Sequence, residues 1–180
     1  ESDLIWSVPY LTKTIDAIVK RVGKGRVDVV AHSLGARGAV QALARMAYRE
    51  PEAPLLNELV FIAPDIDTDI FRQELPLLKK TAGRITVYAS DKDKPLKLSH
   101  EVHGYPRLGM AGEHLAVLEG VETIDISRVA TRRFSGHIYH LFNPEVIEDL
   151  TQLLHTGKPA DKRPGLQYVD NKGMPYWQLK

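Results

Sequence analysis

The sequence predicts an α/β fold, a mostly parallel sheet with helices on both faces. Three observations predict it. Apolar, β-branched runs recur at 26–32, 59–63, 84–90 and 121–126. Each is stopped by turn residues, and amphipathic or small-residue stretches of helical character lie between them. Strands that read as continuous apolar runs, rather than alternating ones, are buried on both faces, as parallel strands are.

The elements follow in order. Ser7 and Pro9 open a helix to Val22 with Leu11, Ile15, Ile18 and Val19 at helical spacing, and Gly23-Lys24-Gly25 ends it. The first strand stops at Ala31-His32-Ser33-Leu34-Gly35, and a helix follows from Ala36 to Arg49. Its many alanines suit close packing on a sheet, and Pro51 and Pro54 end it. After the second strand, Pro64-Asp65 turns the chain, and Asp67 or Thr68 caps a helix over 71–80. The third strand leads into Asp91-Lys92-Asp93-Lys94 and a short helix to about Glu101. Residues 103–116, rich in Gly, Pro and His, read as a surface loop able to cover a site. After the fourth strand comes a loop with Gly136-His137-Ile138-Tyr139-His140, and Asn143-Pro144 opens a last helix to His155.

Composition narrows the possibilities. The chain has 180 residues, enough for one domain with a sizeable core. Hydrophobic residues make up 43% and charged residues 26%, with a net charge of +1, so no broad field favours nucleic acid or an anionic membrane. No apolar run approaches the roughly 18 residues of a membrane span. Cysteine is absent, which excludes disulfides, thiolate metal sites and a Cys nucleophile but leaves the compartment open. The start, Glu1-Ser2-Asp3-Leu4, resembles neither a signal peptide nor an initiator-methionine start.

The stretch around Ser33 carries the chemistry. Strand, tight turn, then helix is the context of a nucleophile elbow, in which a strained serine projects its Oγ from the sheet. Ala31 and Gly35 supply the small residues expected before and after it, and His32 lies between Ala31 and the serine. The alternative is an ordinary turn with Ser33 as helix N-cap. A serine needs a base to take its proton, and the base needs a carboxylate to fix its tautomer. Both are expected on loops after later strands, in the chain order serine, acid, histidine. The acid candidates are Asp93 and Asp91, although Asp93 could instead cap the helix near Pro95. His137 is the favoured base and His140 the runner-up, ahead of His32, His100, His103, His114 and His155. Asp65, Asp67 and Asp69 lack the Gly and distal Glu of a calcium loop, so they read as capping residues with no metal. No G-x-G-x-x-G or G-x-x-x-x-G-K-[ST] follows any strand, which argues against a nucleotide site.

Several segments together resemble a known group: Ala31 to Ala36, Phe61 to Asp67, Tyr88 to Leu96, His103 to Gly109, Ile124 to Ser127 and Gly136 to Tyr139. They are similar to the esterase- or lipase-like bacterial α/β-hydrolases classed as a domain of unknown function. The resemblance implies Ser33 as nucleophile, Asp93 rather than Asp91 as acid, His137 as base and the Leu34 N–H as one oxyanion donor. It implies hydrolysis of ester-like bonds in a small ester or acyl substrate that it does not name, and no cofactor is expected. The hydrolase-like domain covers 1–157, and 158–180 is a polar tail whose Tyr176 and Trp177 dock on the body. Four strands are fewer than the fold normally has. The expectation is therefore the carboxyl-terminal part of that fold without its amino-terminal strands. A preceding segment or partner chain would cover the open sheet edge and supply the second oxyanion donor. The rival expectation is a non-catalytic interaction domain that kept the fold.

Overall fold

The computed structural model describes residues 2–49, 53–129 and 136–180. Its elements run α1 (Ser2–Val22), β1 (Val29–His32), α2 (Leu34–Ala47), β2 (Leu56–Ile62), α3 (Thr68–Thr81), β3 (Ala82–Ala89), α4 (Lys94–His103), β4 (Glu122–Asp125), α5 (Pro144–Thr156), β5 (Leu166–Asn171) and β6 (Met174–Leu179). They build one six-stranded sheet in the order β1-β2-β3-β4-β6-β5, parallel throughout except that β5 runs antiparallel to β6.

Alternate residues of the central strands feed two cores. Leu59, Phe61, Ile85 and Val87 pack with α1, α2 and α3, and the Phe61 ring meets Phe71 edge-on at 5.5 Å. Val60, Ile62, Tyr88 and Ile124 face the other way, against Leu96, Tyr139, Val146 and Leu153. Helices thus cover both faces, as the continuous apolar runs predict.

The boundaries differ from the sequence reading in three places. Helix α1 begins at Ser2 and contains Pro9. A proline there removes a single backbone donor early in a long helix, and burial of Val8, Ile15 and Val19 offsets that loss. The sheet has six strands rather than four, because 158–180 does not end as a tail. Within it β5 and β6 form a hairpin whose β6 pairs in parallel with β4, and Trp177 sits opposite Ile124. The turn residues Lys172 and Gly173 both have positive φ, at 54° and 86°, which suits the right-handed twist of a two-residue hairpin. Residues 103–116 are a surface loop only in part, and residues 107–111 are buried. They thread between the ends of β2 and β3, with Gly109 N–H on the Pro64 carbonyl and Ser90 N–H on the Gly109 carbonyl. Arg107, only 2% exposed, pairs with Asp65 at 3.3 Å.

A buried polar network ties the last segment to the sheet. The Arg163 guanidinium donates to Asp149 at 3.0 Å, to the Tyr88 hydroxyl at 3.2 Å and to Glu122 at 3.1 Å. It joins α5, β3 and the start of β4 in one cluster. Breaking such a pair by removing one partner leaves an uncompensated charge inside the protein.

Candidate active site at the carboxyl ends of the strands

Parallel topology sends the chain out of β1, β3 and β4 on the same rim, and the three resulting loops meet there. Ser33 follows β1 directly. Its φ of 53° and ψ of −127° lie in a region that non-glycine residues rarely occupy. Tertiary bonds hold it there: its N–H donates to the Ile62 carbonyl at 3.0 Å, and its own carbonyl accepts from Asp65 N–H at 3.1 Å. Although Ser33 stands at the N-cap position of α2, its hydroxyl makes no capping bond. It lies instead 2.8 Å from His137 Nε2.

His137 completes a line. Its Nδ1–H donates to Asp93 Oδ2 at 2.7 Å, so Nε2 is left as the lone-pair nitrogen facing the serine hydroxyl. The Asp93 side chain is wholly buried. Its second oxygen, Oδ1, accepts the Leu96 N–H at 3.0 Å as the N-cap of α4. The two readings of Asp93 are therefore compatible, one per oxygen. Asp91 is exposed and lies outside this line.

The loop that carries His137 is held from three strands. Gly136 has φ of +64°, and a Cβ there would stand 2.4 Å from the Lys92 carbonyl oxygen. The Tyr139 hydroxyl donates to the Tyr88 carbonyl at 3.0 Å and accepts the Ala63 N–H at 2.8 Å. Burial pushes that phenol well above the usual tyrosine range, so the donor stays protonated. His32 Nε2 donates to the His137 carbonyl at 3.1 Å. Sequence pattern offered no signal for Tyr139 beyond its place beside Gly136 and His137.

His140 does not reach the serine. Its ring lies 4.5 Å from that of His32, and burial first, then the neighbouring histidines, lower its pKa to about 4. Gly35 departs from the expected tight packing: a Cβ built there meets nothing within 4 Å. Ala31, by contrast, is buried, as a small residue before the turn should be. The three aspartates after β2 each have structural work. Asp65 accepts from Ser99 at 2.7 Å besides pairing with Arg107, Asp67 caps α3, and Asp69 pairs with Arg72.

A hydroxyl, an imidazole and a buried carboxylate in one line, the hydroxyl on a strained turn between strand and helix, is the arrangement by which α/β-hydrolases handle a proton. The family described as alpha/beta hydrolase of unknown function, DUF900, matches residues 2–156. The chain belongs to this family. Membership in DUF900 makes it an α/β-hydrolase and suggests hydrolase activity, with no substrate specified. No curated protein and no solved structure matches it. The DUF900 match stops at the end of α5, so β5 and β6 lie beyond the matched residues.

A cavity of about 450 Å³ lies between α2, α3 and the 103–107 segment, and its lining includes none of Ser33, Asp93 and His137. Arg37, one helical turn past Ser33, lines it together with Val40, Ile66, Ile70 and Arg107. Among the described residues no group of three or more His, Asp or Glu side chains is placed to hold a metal ion. No helix among them is long and apolar enough to cross a membrane.

Proposed function

We propose that this DUF900 protein is a serine hydrolase that cleaves a small carboxylic ester or thioester through an acyl-enzyme. The observation that carries this reading is the line from Ser33 Oγ to His137 Nε2 and from His137 Nδ1 to Asp93, at 2.8 and 2.7 Å. Ser33 Oγ attacks the carbonyl carbon while its proton passes to His137 Nε2, and the carbonyl oxygen becomes an oxyanion. Asp93 holds the ring in the required tautomer and stabilises the imidazolium. The Leu34 N–H, at the first position of α2, is one oxyanion donor. Collapse of the tetrahedral intermediate expels the alcohol or thiol, which takes the proton from His137 and leaves Ser33 acylated. Water, deprotonated by the same nitrogen, then releases the acid.

Ser33→Ala tests the reading on short-chain p-nitrophenyl esters. Turnover should fall by on the order of 10⁴-fold or more while the circular dichroism spectrum and melting temperature stay close to the parent's. Equal turnover in the variant sinks it.

A second reading has its own observation. Among the described residues β1 is the end strand of the sheet, so its outer backbone edge has no strand paired with it. A preceding segment or partner chain paired there would also be the source of the second oxyanion donor. A fold kept only for such pairing would bind its partner and leave Ser33 unreactive.

A further inference from the structure

We infer that His32 is a positioning residue, whose ring holds the peptide of His137 and thereby keeps the imidazole aimed at Ser33. Its catalytic consequence rests on the serine-hydrolase reading above, whereas the contact itself rests on geometry alone.

His32 ends β1 and immediately precedes Ser33. One dipeptide thus carries both the reacting hydroxyl and a contact to the residue that faces it. The 3.1 Å contact ends on a carbonyl oxygen, which can only accept, so His32 Nε2 bears the hydrogen. The other holds on the loop act elsewhere. Gly136 is set by the Lys92 carbonyl and Tyr139 by its bonds to Tyr88 and Ala63. Neither holds the peptide that leaves His137. With the His32 donor gone, that peptide can rotate, and the ring swings on it away from its 2.8 and 2.7 Å contacts. A displacement of about 1 Å in a reacting group can cost on the order of 10²-fold in rate.

The chemistry of the side chain suits the place. The His32 ring centroid lies 4.7 Å from that of His137 and 4.5 Å from that of His140. The charged or titratable groups facing it are His137, His140 and Asp93. Burial is the largest influence on His32 and lowers its pKa, so the donor is uncharged at neutral pH. A lysine or arginine donor would place a permanent cation beside the imidazolium that must form on His137. A neutral imidazole donates without that repulsion.

The test uses three substitutions at this one position. His32→Gln places an amide N–H near the position of Nε2, His32→Asn carries the amide too close to the backbone to reach, and His32→Phe keeps the ring without the donor. Ester turnover is measured together with the ring N–H resonance of His137 in ¹⁵N-labelled protein. The Phe and Asn variants should lose about tenfold or more in kcat with KM little changed, and their His137 Nδ1–H signal should broaden or vanish. The Gln variant should recover most of both. A Phe or Asn variant with parental kcat and an intact signal overturns the proposal, as does an Asn variant indistinguishable from Gln. If the parent protein turns over no ester, the hydrolase reading fails while the resonance still decides the clamp. Loss in Asn with retention in Gln supports it, and retention in both refutes it.

Discussion

Strain at Ser33 separates its hydroxyl from the capping role that a serine before a helix usually takes. Holding a non-glycine residue at φ of 53° costs roughly 1–3 kcal/mol, and the hydrogen bonds to Ile62 and Asp65 maintain it. Residue types and spacing singled out Ser33 and His137, because the motif names the turn and the loop after the fourth strand narrows the histidines. They could not decide whether Asp93 faces His137 or caps α4, since each oxygen of the carboxylate makes one of those contacts. His32 read only as a spacer in the motif; its contact spans 105 residues of sequence and leaves no local pattern. His140 offers a test at this scale. Its folded-state pKa of about 4 lies below the ordinary 6.5, so the fold favours the neutral ring. The stability this contributes is fully present above pH 6.5 and is lost as pH falls through 6.5 toward 4. His140→Phe should therefore flatten the dependence of melting temperature on pH across that window. An unchanged slope would contradict the placement of His140 among its neighbours.

At the scale of elements, packing overrode composition. Glycine, proline and histidine in 103–116 suggest an exposed loop, yet Gly109 is there because the chain passes against two backbones. A Cβ on it would meet Ala63 C and Pro64 N at 2.7 Å and Leu96 Cδ1 at 2.6 Å. Gly109→Ala should lower stability by roughly 1–3 kcal/mol in urea unfolding, the usual cost of forcing atoms into a packed site. Gly35→Ala, in the first turn of α2 with no atom in reach of the added methyl, should leave stability unchanged or raise it by up to about 1 kcal/mol. Equal losses in the two variants would refute this contrast. β5 and β6 escaped the sequence reading for a related reason. Mostly exposed or half-buried, they carry neither a continuous apolar run nor a strict alternation, and Lys172-Gly173 replaces the stronger Asn-Gly hairpin signal. Pro175 adds to the disguise. It is tolerated because the pairing of β6 with β4 runs only through Trp177 and Gln178.

The whole molecule explains why residues 33, 93 and 137 meet at all. A parallel sheet returns every strand in the same direction, so loops far apart in sequence emerge on one rim. That much was readable from four buried strands and the order serine, acid, histidine. The position of β1 at the edge, and the completion of the opposite side by β6 and β5, were not, because strand order is set by long-range packing. The central claim is that this rim activates Ser33, and the intact mass after exposure to a fluorophosphonate tests it most directly. The expected result is a single phosphonate adduct that peptide mapping places on Ser33 and that disappears in Ser33→Ala. A folded protein that gains no mass, or an adduct that persists in the variant, would contradict it.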